Sequence, residues 1–238
     1  MTRHQAHSAR VPAEDGPEQG FTLVELAIVL VIIGLIIGGI LKGQELIASA
    51  RLKSTMTEID AVRAATATFQ DKYGGLPGDY FNGQAQLGTP NGVTWTAPAC
   101  DGSNQHCDGD GTIEGNGITN ETLLFWQQLA LGNMISGIEV ADAPSASIGA
   151  GVPSAAVGGG LAIQNQNIGG RTTHWIRLGT GANLTTGAAS GLQADTIDRK
   201  IDDGRPGTGS VRTTTAGCIN ASNYNSSGNQ CLLYFELN

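Results

Sequence analysis

From Phe21 to Leu41 the chain is a nearly unbroken apolar run of 21 residues, and from Leu26 to Leu41 it carries no ionisable side chain. That length is what a helix needs to cross a bilayer. Beyond it the pattern changes rather than stops. Leu46, Leu52, Met56, Ile59, Val62, Ala65, Phe69 and Tyr73 recur at steps of mostly three or four with polar residues between them, which marks one amphipathic helical face. No proline lies between Pro17 and Pro77, so nothing ends the helix before Gly74 and Gly75. The spacing predicts one continuous helix of roughly 50 residues, about 75 Å long. Its first half is apolar all round and its second half on one side.

After GGLPGDY the pattern is loop-like to about Ile118. A second helix is predicted over Glu121 to Leu131, capped by Thr119 or Asn120 and ended by Gly132. Its buried face would be Leu124, Trp126, Leu129 and Ala130. From Gly137 onward short strands separated by Gly, Asn and Pro turns are expected, the clearest being HWIRL (174–178), SVRTT (210–214) and CLLYFEL (231–237). GAGVPSAAVGGG reads as a flexible loop, and residues 1–20 as a polar, disordered leader.

Charge excludes one class of function. The net charge is −8, and no Lys or Arg occurs between Lys72 and Arg171, where Asp79, Asp101, Asp108, Asp110, Glu114, Glu121, Glu139 and Asp142 all fall. A basic nucleic-acid-binding surface is not expected. The 35 glycines predict many turns. Four cysteines form two close pairs, Cys100 with Cys107 and Cys218 with Cys231; three connectivities are open, and loop closure favours the local one. With no C-x-x-C spacing, disulfides in an oxidising compartment are preferred to a metal site.

The charge at the mouth of the apolar run, Glu25 in GFTLVELAIVL, is the residue that needs explaining, because a lone carboxylate there is costly. A secretory signal peptide cut after Ala48-Ser49-Ala50 would be long for its class. A plain single-span anchor leaves Glu25 only a helix-dipole role. In the third reading Gly20 is a cleavage point and Phe21 a new N-terminus.

On these residues the chain resembles the type IV pilins and the type II secretion pseudopilins. The resemblance is specific over Gly20 to roughly Ala61, and looser in the GGLPGD turn, the Trp-containing helix and IDRKIDDGRPGTGSVR. It departs in its leader, which ends PEQG without the basic residue many members carry beside the glycine. The resemblance implies cleavage after Gly20 by a prepilin peptidase, N-methylation of Phe21, and a role for Glu25 in assembly. A positive amine at Phe21, of the same subunit or of a staggered neighbour, would pair with Glu25 and set subunit register. A head-to-tail contact that does not close yields a helical filament. Gly34 and Gly38 form a small-x-x-x-small pair available for close helix packing.

Other chemistry is sparse. CDGDGTIEG offers Asp108, Asp110 and Glu114 as hard oxygen ligands suited to calcium, though Ile113 stands where an EF-hand needs glycine. IDRKIDD, with Asp198, Asp202 and Asp203 among Arg199 and Lys200, reads as a surface ion-pair cluster. His174 beside Trp175 is expected to be structural, and no nucleophile motif is present.

The fold expected is α+β and pilin-like: a long N-terminal helix on a small antiparallel sheet with a loop-rich, disulfide-closed C-terminal region. The segments are a leader over 1–20, a transmembrane or filament-core half-helix over 21–41, an amphipathic half over 42–73 and an extracytoplasmic globular domain over 74–238. The function expected is structural rather than enzymatic. The subunit would be held in the bacterial inner membrane, with lipid, the peptidase and an assembly platform as partners, then polymerised with like or related subunits into an extracytoplasmic pilus or pseudopilus. The alternative is a membrane-anchored extracytoplasmic binding module dependent on calcium.

Overall fold

The computed structural model describes residues 20–88, 107–115, 120–139, 146–228 and 230–237. The expected positions Cys100, Thr119 and the leader before Gly20 lie outside these residues. The chain divides into two compact units, Met1–Leu46 and Ile47–Asn238, and the boundary falls within a single helix, α1, of 51 residues (Leu23–Tyr73).

In the first unit the apolar side chains are exposed: Leu23 to 87% and Leu35 to 72%. Apolar surface on this scale needs lipid or protein over it. Leu46, expected on the buried stripe, is exposed.

In the second unit the stripe is real. Leu52, Thr55, Ile59, Val62, Ala65, Thr66 and Phe69 are buried. The two threonines are tolerated there because each meets a backbone partner. Thr66 donates its hydroxyl to the Val62 carbonyl at 2.9 Å, and Thr55 Oγ1 accepts from the Val157 amide at 3.2 Å.

The rest of the core comes from a four-stranded antiparallel sheet and two helices. Strands β1 (Gly160–Ile168), β2 (Arg171–Thr180), β3 (Val211–Thr213) and β4 (Leu233–Glu236) lie in the order β1-β2-β4-β3, with the short strand Thr186–Gly187 against β2. The long β1–β2 hairpin turns at Gly169 and Gly170, both with φ in the left-handed region that two-residue hairpin loops require. Ile176 opposite Phe235 and Leu178 opposite Leu233 face the core shared with α1. The alternate positions Trp175 and Tyr234 form a second apolar cluster with Ile168 and Leu232. The guanidinium of Arg212 lies 5.6 Å from the Trp175 ring and donates to the Ile168 carbonyl at 2.8 Å.

Helix α2 (Gly83–Leu87) falls where a loop was expected, whereas α3 (Glu121–Leu131) falls where it was predicted. Asn120 precedes α3 without a side-chain cap, and burial extends well beyond the expected face to Glu121, Gln127 and Gln128. Gln128 explains part of this. Its Oε1 accepts from the Gly78 amide at 2.7 Å and its Nε2 donates to the Tyr80 carbonyl at 3.1 Å, so it holds the GGLPGDY turn against α3. A Cβ at Gly78 would approach the Glu121 carbonyl oxygen to 2.7 Å, and this close approach demands glycine.

Two expectations are corrected. GAGVPSAAVGGG is not free: Ala156 and Val157 donate to Glu58 and Thr55 of α1, and its final glycine opens β1. IDRKIDD is not a surface ion-pair cluster. Its first five residues close helix α4 (Gly191–Ile201), started by a full capping box between Ser190 and Gln193, and Asp202 and Asp203 follow the helix end. Asp198 is fully buried, and Arg199 pairs instead with Asp195, one turn back, at 2.9 Å.

Candidate functional site

The N-terminal site is small and local. Thr22 is the residue before α1 and Glu25 its third helical position. Glu25 Oε2 accepts from both the amide and the hydroxyl of Thr22 at 2.8 Å, and Thr22 Oγ1 accepts from the Glu25 amide at 3.3 Å. This reciprocal arrangement is a capping box. The T-x-x-E spacing was visible in the sequence, but reading Glu25 only for assembly passed over it. Gly34 and Gly38 have no atom within 4 Å of where a Cβ would sit, so neither glycine is required by packing among the described residues.

The acidic loop 107–115 is held by side chains from three separate elements. Asp79 of the GGLPGDY turn accepts the Gly109 amide at 2.8 Å and the Gly111 amide at 2.7 Å, one on each carboxylate oxygen. Glu121 at the start of α3 accepts the amides of Cys107 and, at 2.6 Å, Glu114. His174 of β2 accepts the Ile113 amide on Nε2 at 3.1 Å, as expected of a structural histidine.

Burial dominates the electrostatics of this cluster. It pushes Glu121 up to about 7 despite its two amide donors. It also raises Asp79, with smaller contributions from Asp110 and Asp108, and lowers His174 toward the neutral form that can accept a hydrogen bond.

The expected calcium ligands Asp108, Asp110 and Glu114 are not brought together as a set. Ligand atoms of Asp79, Asp108 and Asp110 lie within 4.8 Å of one another, and Glu114 is outside that group. Three carboxylates with no ion pair to a cation among the described residues suit a hard divalent ion in charge and donor type. Each carboxylate already accepts a backbone amide, which leaves part of its lone-pair capacity for a metal. Asp79 could not be foreseen: about thirty residues and no motif separate it from the loop it joins.

Cys218 and Cys231 are joined, with Cα atoms 5.6 Å apart. Cys107 is also disulfide-bonded, and its expected partner Cys100 is outside the described residues.

The chain thus joins an exposed apolar helix, opening on a capped Thr-x-x-Glu, to an α+β domain. The comparisons with known proteins agree at the N-terminus. Residues 17–41 match the family described as the prokaryotic N-terminal methylation motif, which bears out the resemblance read from the sequence. Among solved structures the chain is similar to the major type IV pilin PilA1 from Clostridium difficile, at 13% identity over 80% of this chain and 96% of that one, with a TM-score of 0.38. No curated protein matches the chain.

Proposed function

We propose that this chain is a structural subunit that is cut after Gly20, N-methylated at Phe21 and polymerised into a type IV pilus or type II secretion pseudopilus. The observation that carries this reading is the coincidence of the methylation motif over 17–41 with a helix whose first half exposes its apolar side chains among the described residues. The helix is long and apolar enough to cross a membrane, which supports storage in the bacterial inner membrane before assembly. Cleavage would place a positive amine at Phe21, four residues from Glu25. Glu25 would then meet either its own terminus or that of a staggered neighbour. Gly34 and Gly38, bare on the helix surface, would let neighbouring helices approach closely. Partners in this reading are the peptidase, lipid, the assembly platform and like subunits. The domain's role is structural and not catalytic.

The test is mass spectrometry of the mature N-terminus from membranes of the native host. Methylated Phe21 is the expected result. A terminus at Arg51 would mean a cleaved signal peptide, and an intact Met1 a plain anchor; either overturns the reading.

A second reading, an anchored binding module dependent on calcium, is favoured by one observation: Asp79 joins Asp108 and Asp110. In it these three carboxylates would hold the ion and brace the loop from 107 to 115.

A further inference from the structure

The end of α1, the turn after it and helix α2 form the walls of an open cleft of roughly 860 Å³, whose far side is the acidic loop at Gly109 and Gly111 with His174, so that it borders the carboxylates of the calcium reading without being that site. Its walls are chemically selective. Gln70 and Tyr73 come from α1, Phe81 and Asn82 from the turn, and Gln86 from α2, with Asp79 among the other lining residues. Each Asp79 oxygen already accepts one amide, from Gly109 and from Gly111, so Asp79 is held in place by the loop and lends the cleft negative potential.

Among the described residues no Lys or Arg lines the cleft, its titratable base His174 is held toward the neutral form by burial, and Asp108 and Asp110 lie beside Asp79. A phosphorylated or carboxylated ligand would find no counter-charge and three carboxylates nearby. Three uncharged amide side chains, Gln70, Asn82 and Gln86, each present donors and acceptors together. That lining matches a ligand whose polar groups are themselves both donors and acceptors, which is the property of hydroxyl groups. The ring of Phe81, 46% exposed although it is a large apolar residue, adds a flat apolar surface at the same place. A molecule with many hydroxyls on its edges and an apolar C–H face is a pyranose sugar.

We infer that this cleft binds a neutral saccharide, with a sugar face on Phe81 and its hydroxyls on Asn82, Gln86 and Gln70. The inference goes beyond the filament reading and is independent of it, since it concerns only the globular unit. An open cleft of this kind holds one or two sugar rings weakly, with selectivity set by the amides and not by charge.

The test uses the full chain, purified in a zwitterionic detergent that carries no sugar headgroup, and saturation-transfer NMR. The probes are maltotriose, cellotriose and triacetylchitotriose, with sialyllactose as the anionic control. At least one neutral trisaccharide should show saturation of its ring protons, and sialyllactose should show none. Phe81→Ala and, separately, Gln86→Ala should each weaken that signal about five-fold. Both side chains sit at the surface, so an unchanged unfolding temperature verifies that each variant is folded. Absence of transfer to all three neutral sugars overturns the inference, as does equal transfer to sialyllactose or a signal retained in both folded variants.

Discussion

Thr22 and Glu25 cap each other across the first turn of α1: the Glu25 carboxylate takes the Thr22 amide and hydroxyl, and the Thr22 hydroxyl oxygen takes the Glu25 amide. The same carboxylate that the filament reading assigns to assembly thus has a local task in the single chain. Both tasks use a negative charge near a helix start, where the unpaired amides favour it. They can be separated, because a cap needs an acceptor whereas an ion pair needs a charge.

Glu25→Gln keeps an acceptor for the Thr22 amide and removes the charge. Its yield in sheared filaments should fall at least about tenfold relative to the membrane pool, as it should for Glu25→Ala. Thr22→Ala removes the cap, costs about 1 kcal/mol locally and should leave filament yield near wild type. Quantitative immunoblots of filament and membrane fractions decide it; normal assembly of Glu25→Gln would refute the register argument.

Asp198 is fully buried in α4 and pushed up to about 7, first by burial and then by its carboxylate neighbours Asp203 and Asp202, against the hydrogen bond from the Gly204 amide. The folded state therefore holds this proton more tightly than the unfolded one. Its contribution is fully present below about pH 4 and is lost as pH rises through 7. Asp198→Asn should be more stable than wild type at pH 8, on the order of 2 kcal/mol, and the difference should shrink toward pH 4. Thermal unfolding across pH 4 to 8 measures this.

His174 carries the opposite sign. Burial lowers its pKa, so the contribution of the neutral ring is lost as pH falls through the ordinary histidine value of about 6.5. Protonation also turns Nε2 from the acceptor of the Ile113 amide into a donor. The protection of that amide from hydrogen exchange, taken relative to its intrinsic rate at each pH, should fall on acidification in wild type and much less in His174→Gln, whose carbonyl oxygen can accept without titrating.

If the anchored-module reading holds, calcium chloride should raise the unfolding temperature. Asp79→Asn or Asp110→Asn should abolish that shift, and Glu114→Gln should preserve it. A calcium response in both aspartate variants would place the ion elsewhere.

Cys218 and Cys231 close a loop of 13 residues. The paired change Cys218→Ser with Cys231→Ser should lower stability by about 3 kcal/mol through the freed chain entropy of the unfolded state, read by denaturant titration.

What the sequence made legible follows from the range of the interactions. Helix α1 could be read because an unbroken apolar run passes into a helical period with no proline between them, and β2 and β4 because β-branched and aromatic residues mark them. Strand β1 was missed because GLAIQNQNI is half amide, and its pairing with β2 supplies what its own pattern does not. Helix α4 was passed over although Ser190 and Gln193 announce it, because IDRKIDD was read for its charges, as a surface ion-pair cluster, and not for its helical start. The acidic loop showed Asp108 and Asp110 but not Asp79, whose hydrogen bonds reach it across 30 and 32 residues, nor Glu121, which reaches Glu114 and Cys107 across 7 and 14. Such contacts leave no periodic trace.

Strand β4 lies between β2 and β3 although it is the last of the four to be made, and its Glu236 carbonyl accepts two hydrogen bonds from Arg63 of α1, at 2.7 and 2.9 Å. The interior of the sheet therefore stays unfilled during synthesis until residues 233–236 arrive. A chain halted before residue 233 would present two unpaired strand edges and a helix without its clasp, the state most prone to aggregation and proteolysis. Closure of the sheet is thereby a late event in the life of the chain, tied to the arrival of four residues and not to the long hairpin that precedes them.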